Sequence, residues 1–109
     1  MEQLSIVEKD GANYRLYELD GALNAYTIGE FQNVLYEAVK QNNIVLDMSH
    51  VVELDPTGMG ILMAAFNDSE EAGYSLYFMS VSNEAEKAIS NTGFKQVFNL
   101  INSVTEVRT

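Results

Sequence analysis

Cysteine is absent from the 109-residue chain, which excludes thiol catalysis, disulfide bonds and cysteine-ligated metal centres. Long apolar runs are also absent, since none approaches the roughly 20 residues that a membrane-spanning helix needs. The first residues lack the basic and then apolar order of a signal peptide. We therefore expect a cytoplasmic protein that does not insert into a membrane.

Basic side chains are scarce: 6 lysines and arginines stand against 16 acidic residues, for a formal net charge of -10. A surface of this sign repels phosphate backbones and anionic lipid headgroups. Direct binding of nucleic acid is therefore not expected, whereas a basic protein partner is permitted. Solubility alone is an equally ordinary reason for such an acidic surface.

Apolar periodicity predicts an α/β fold. Two strand-like segments flank the turn dipeptide Asp10-Gly11, which indicates an N-terminal β-hairpin. The capping-box pair Thr27 and Glu30 predicts the start of a first helix, and two further strand–helix pairs follow. This alternation predicts one domain over residues 1–109, with a mixed but mostly parallel sheet and flanking helices.

Residues 52–60, V-E-L-D-P-T-G-M-G, are predicted to form a loop that runs from a strand into a helix. Asp55 suits the N-cap and Pro56, the only proline, suits the first helical position. Thr57 then falls in the first turn, where a phosphate would be favoured by the helix amides. Gly58 and Gly60 weaken a helix, which suggests that another backbone, a ligand or a partner approaches there. A purely structural role for the same residues is the alternative.

Several catalytic chemistries do not fit. The glycines of G-M-G lack the third glycine of a dinucleotide fingerprint, and no phosphate-binding P-loop is present. The polar residues Asp47, His50, Glu53 and Asp55 match no metal-ligand spacing, so no metal or other cofactor is expected. An aspartyl-phosphate enzyme with Asp55 as nucleophile is a weaker hypothesis, because no second acidic cluster for Mg²⁺ follows.

Four segments, in order and over nearly the whole chain, resemble the STAS domain and within it the bacterial anti-sigma factor antagonists. L-D-G-A-L-N-A-Y-T is similar to the family's L-x-G-x-L-D-x-x-T, and I-V-L-D-M-S-H-V to its I-x-L-D-L-S-x-V. D-P-T-G-M-G-I-L resembles the signature loop D-S-S-G-L-G or D-S-T-G-L-G, and N-T-G-F resembles a later x-x-G-L. Pro56 stands where the family has Ser or Thr, and Asn24 where it commonly has Asp.

The resemblance implies a regulatory binding protein without enzymatic activity. Its partner would be an anti-sigma factor that is also a serine/threonine kinase of the histidine-kinase-like ATPase fold. Binding of the unphosphorylated antagonist would free a sigma factor and so regulate transcription by partner switching. Phosphorylation of Thr57 would weaken binding, and a protein phosphatase would reset the switch.

The resemblance also implies which residues meet the partner. Asp55 and Pro56 would shape the loop, Gly58 and Met59 would lie under the partner's surface, and Asn24 would lie near the same face. A methionine at this helical position is otherwise typical of a core. The alternative function is a STAS scaffold or accessory subunit, in a transporter or signalling complex, with an unmodified threonine.

Overall fold

The computed structural model describes residues 3–108; residues 1, 2 and 109 of the predicted domain lie outside this range. One five-stranded sheet runs through it, with the strands in the order of the chain. Its elements are β1 (Leu4–Asp10), β2 (Arg15–Leu23), α1 (Ile28–Ala38), β3 (Ile44–Leu54), α2 (Pro56–Ala72), β4 (Leu76–Met79), α3 (Asn83–Asn91) and β5 (Asn99–Ile101). Short 3₁₀ turns, Lys95–Val97 and Val104–Glu106, flank β5.

The sheet is mixed. β1 and β2 form the predicted antiparallel hairpin, whose turn is closed by the Gly11 N–H donating to the Tyr14 carbonyl at 2.9 Å. β2 to β5 are parallel neighbours joined through helices. The α/β fold class, the hairpin and the mostly parallel sheet are thus confirmed. The carboxyl ends of β2 and β3 lie side by side, with Leu23 opposite Leu54.

The main core lies between the sheet and the helices. Because side chains alternate across a strand, Ile44, Leu46 and Met48 of β3 point into this core, whereas Val45 points to the other face. All three helices contribute buried side chains to the main core, notably Phe31, Leu35, Leu62, Phe66, Ala85 and Ile89. The opposite face carries a smaller cluster of Val45, Tyr77, Ile101 and Val107, to which the C-terminal turn contributes.

Two predicted boundaries are wrong. β3 continues to Leu54, so the predicted loop from residue 52 is strand almost up to the helix; pairing with β2 holds it extended. From the sequence, Asn83 with Glu86 is predicted to cap α3, but the cap is Ser82, whose side chain accepts from the Ala85 N–H at 3.1 Å. The same hydroxyl donates to the Val51 carbonyl at 2.7 Å, a tertiary contact that fixes the cap one residue earlier.

The predicted capping box of α1 is also wrong. Thr27 does occupy the N-cap position, but its side chain makes no capping hydrogen bond. Its hydroxyl instead donates to the Ala22 carbonyl at 2.6 Å and accepts from the Asn24 N–H at 3.1 Å. The Thr27 hydroxyl therefore bonds to the end of β2 and not to an N–H group of the first turn of α1. These hydrogen bonds stabilise the β2–α1 loop.

Candidate functional site

The N-terminus of α2 is built as predicted. Asp55 is extended, with ψ at 174°, the backbone region that a following proline requires. Its side chain caps the helix by accepting from the Gly58 N–H at 2.8 Å, and Pro56 occupies the first turn. Strand β3 therefore passes into α2 at a fixed angle over a single residue.

Thr57 lies in the first turn of α2 and is exposed. Within the part of the chain that the structure describes, its hydroxyl makes no hydrogen bond, and no acidic residue shares the first turn. At the positive end of the helix macrodipole, the N-cap carboxylate of Asp55 is the acidic group that accepts from a first-turn N–H. The arrangement presents a nucleophilic oxygen to solvent at a position that favours an attached anion.

Asp55 also ties α2 to the β2–α1 loop. Its second carboxylate oxygen accepts from the Ala25 N–H at 3.3 Å, and its own N–H donates to the Leu23 carbonyl at 3.1 Å. The two loops that follow β2 and β3 are thus joined through one residue. Capping and loop tethering together account for both carboxylate oxygens of Asp55.

Gly58 is required by packing inside the protein. A Cβ atom at this position would lie 2.5 Å from the Leu23 carbonyl oxygen and 3.0 Å from a methyl carbon of Leu54. The close backbone approach that the sequence predicted at the glycines is therefore real at Gly58, but the approaching backbone is the chain's own β2.

Asn24 organises the β2–α1 loop. Its side-chain amide donates to Glu53 Oε1 at 2.7 Å, and its side-chain oxygen accepts from the N–H groups of Tyr26 and Thr27 at 2.9 and 3.2 Å. The residue is 4% exposed. An amide can both donate to the carboxylate and accept from the backbone, whereas an ionised aspartate could only accept.

Three of the five residues predicted to contact a partner have little accessible surface in the isolated chain. Asn24, Gly58 and Met59 are buried, and Met59 is 5% exposed within the main core. Loop hydrogen bonds account for the Asn24 side chain, and close packing against β2 accounts for Gly58, while their place in a partner interface stays a prediction. Pro56 is exposed and Asp55 partly so, and these two flank the accessible surface of Thr57.

The structure adds surface residues that the sequence did not single out. Tyr26 is 93% exposed, and it follows Ala25, the residue tethered to Asp55. On the other side, α2 and α3 enclose a groove of about 420 Å³. Its walls are Leu54, Asp55, Pro56, Met59, Gly60, Met63, Ala88, Asn91 and Thr92. The only sequence signal for Tyr26 was an aromatic residue in an otherwise small and polar turn. The groove could not be predicted, because it depends on how α3 packs against α2.

The geometry of the described residues does not support the metal-site or phosphotransferase hypotheses. No three histidine or acidic side chains of residues 3–108 are placed to hold a metal ion, including the set Asp47, His50, Glu53 and Asp55. The phosphotransferase hypothesis needs Asp55 as a free nucleophile, but its oxygens already accept two backbone N–H groups. No helix in the described range is long and apolar enough to cross a membrane.

Comparison with known proteins agrees with this architecture. Residues 3–107 match the STAS domain family. An anti-sigma-B factor antagonist from Staphylococcus aureus (strain NCTC 8325 / PS 47) is 27% identical over 97 residues, which are 85% of this chain and 89% of that protein.

Two solved structures share the fold at low sequence identity. An anti-sigma factor antagonist from Mycobacterium paratuberculosis superposes with a TM-score of 0.82 at 17% identity, covering 94% of this chain and 89% of the other. The anti-sigma factor antagonist SpoIIAA in its unphosphorylated form gives 0.77 at 13% identity, covering 94% and 91%. With a family match over nearly its whole length and this shared topology, the chain belongs to the STAS domain family.

Proposed function

We propose that this protein is an anti-sigma factor antagonist that binds its partner through the exposed N-terminal face of α2 and is released when Thr57 is phosphorylated. One observation carries the proposal: Thr57 is exposed in the first turn, while Asp55 and Gly58 on either side of it hold that turn in place. The name of the staphylococcal relative and the described unphosphorylated form of SpoIIAA support it.

The proposed partner is an anti-sigma factor of the histidine-kinase-like ATPase fold, which is also the kinase that modifies Thr57. Bound to the antagonist, it no longer holds its sigma factor, and transcription from the sigma factor's promoters rises. A protein phosphatase removes the phosphate and restores binding. In this scheme the protein is a switchable ligand and performs no chemistry itself.

Electrostatics explains why the modification would act on docking and leave the fold intact. A phosphate adds about -1.5 to -2 charges at pH 7, and the amides of the first turn tolerate an anion there. The same charge falls beside Asp55 and the exposed Glu53, on a chain whose net charge is already -10. A partner surface that fits a neutral hydroxyl would meet a concentrated negative charge.

The test uses a recombinant anti-sigma factor of this fold from the same organism, titrated against the wild type and its variants by calorimetry. We expect Thr57→Glu to weaken binding by about tenfold or more, because misplaced like charges across an interface cost several kcal/mol. Thr57→Gln, which matches glutamate in size without the charge, should bind clearly more tightly than Thr57→Glu. Thr105→Glu adds the same charge at another exposed threonine and is the matched control.

Incubation with the kinase and Mg-ATP supplies the second arm. Mass spectrometry should find one phosphate on the wild type and none on Thr57→Ala, and the phosphorylated wild type should bind as weakly as Thr57→Glu. Equal affinity of the wild type, its phosphorylated form and Thr57→Glu would refute the switch. The wild type and Thr57→Glu can also be used as baits in pull-downs. If both retained the same transporter or scaffold subunits, the alternative function of a STAS scaffold would replace the proposed switch.

A further inference from the structure

The exposed side of the first half of α2 is uncharged. No acidic or basic side chain occurs from Pro56 to Asn67, although charged residues make up 20% of the chain. The exposed or partly exposed positions of this stretch are Pro56, Thr57, Gly60, Met63, Ala64 and Asn67. A solvated helix face ordinarily carries charges, and their depletion is characteristic of the centre of a protein interface.

Gly60 makes no close contact within the described residues that requires a glycine. It is exposed in the interior of α2, where glycine is the least favourable residue after proline. A Cβ atom added there would meet nothing within 4 Å, unlike one added at Gly58. The fold therefore gives no packing reason for a glycine at this position, and the side left open by its missing side chain faces outward.

Gly60 lies on the rim of the groove between α2 and α3, hereafter the α2–α3 groove. Of the polar side chains in its wall, Asp55 is committed to the two backbone bonds described above. The Thr92 hydroxyl donates to the Ile89 carbonyl at 2.6 Å and accepts from the Phe94 N–H at 3.0 Å. Within the described residues, the exposed Asn91 amide is left to orient a polar group, and the remaining wall is suited to apolar contact.

We propose that the α2–α3 groove receives an apolar side chain of the anti-sigma factor, whose backbone crosses α2 at Gly60. The inference rests on the proposed function and specifies the surface it uses. Methionine side chains at Met59 and Met63 give the groove an adaptable apolar floor. Asp55 is the only charged residue among these wall residues, all of which the structure describes, and both of its carboxylate oxygens already accept backbone N–H groups. Thr57 lies between Pro56 and Gly60 in the chain. A segment docked at these two residues would therefore pass close to the proposed phosphorylation site.

Two substitutions at Gly60 separate binding from folding. Gly60→Ala should raise the midpoint of thermal unfolding by roughly 4 °C, because alanine favours the helix and meets no other atom. It should nevertheless weaken binding of the recombinant anti-sigma factor by about threefold to tenfold, and Gly60→Leu by more than tenfold. A stability gain combined with an affinity loss is the signature of a close contact with a partner.

Gly29→Ala is the matched control, since Gly29 is also an exposed helical glycine with open space around it. It should stabilise the fold similarly and leave affinity unchanged. If Gly60→Leu binds like the wild type while Thr57→Glu does not, the groove is not the docking surface and the proposed function stands. Equal weakening by both alanine variants also refutes the groove. If the wild type fails to bind the anti-sigma factor at all, the proposed function fails and the groove assignment falls with it.

Discussion

Replacing Gly58 by alanine tests the tight contact between α2 and β2. The new Cβ would lie 2.5 Å from the Leu23 carbonyl oxygen and 3.0 Å from a methyl carbon of Leu54. The leucine side chain can rotate away, but the carbonyl belongs to backbone that also accepts from the Asp55 N–H at 3.1 Å. Relief of the clash therefore requires a shift between β2 and the start of α2.

The expected cost follows from three contributions. Overpacking a tight site costs about 1–3 kcal/mol, and loss of the Asp55–Leu23 hydrogen bond costs about 1 kcal/mol. Alanine's better helix propensity returns about 1 kcal/mol. The free energy of unfolding should thus fall by about 1–3 kcal/mol. For a chain of 109 residues, each kcal/mol corresponds to roughly 4 °C in the unfolding midpoint.

Urea titration followed by circular dichroism measures this change. An unaltered m-value would show that the substitution changes the stability and not the surface area exposed on unfolding. Gly60→Ala is the internal comparison, since the same substitution two residues later should stabilise the protein. A Gly58→Ala protein as stable as the wild type would refute the argument that this glycine is needed for packing against β2.

Two further predictions concern stability. The buried Ser69 hydroxyl makes no hydrogen bond within residues 3–108. Ser69→Ala should therefore raise the free energy of unfolding, measured by urea titration, by about 1 kcal/mol. A loss of stability would show that the hydroxyl does have a hydrogen-bond partner. Burial raises the pKa of the Tyr17 hydroxyl, and the nearby Arg15 guanidinium opposes this more weakly. The folded state thus favours the neutral phenol, a contribution that is complete below about pH 10 and is lost as pH rises beyond it. The urea midpoint should therefore fall less steeply above that pH in Tyr17→Phe than in the wild type.

Local sequence signals were sufficient where the interacting groups lie within a few residues of one another. The cap at Asp55, the proline after it and the left-handed Gly73 that ends α2 were all predictable, because each depends on local backbone geometry. Alternating apolar segments likewise predicted the hairpin and the parallel sheet. The exposed threonine in the first turn of α2 was predicted in this way as well.

The local expectation for Thr27 failed because another acceptor competed for its hydroxyl. Thr27 was expected to cap its own helix, but the Ala22 carbonyl at the end of β2 takes its hydroxyl. The resemblance places Asn24 near the partner's face, which stays a prediction, but its contact with the Glu53 carboxylate was not indicated by any sequence pattern. The Ala22 carbonyl lies five residues from Thr27, at the end of the paired strand β2, whereas Glu53 lies 29 residues from Asn24 and comes close only through the pairing of β2 with β3.

The two glycines of the signature loop show this division most clearly. The sequence by itself determined that a capped helix begins at Pro56 and that glycines weaken its first turns, since these properties belong to residue types and short spacings. Only the tertiary structure decided that Gly58 makes room for β2, whereas Gly60 opens to solvent beside α3. The reason is physical. The group that lies next to a glycine is set by how the sheet and helices pack together, and residue type and spacing do not contain that information.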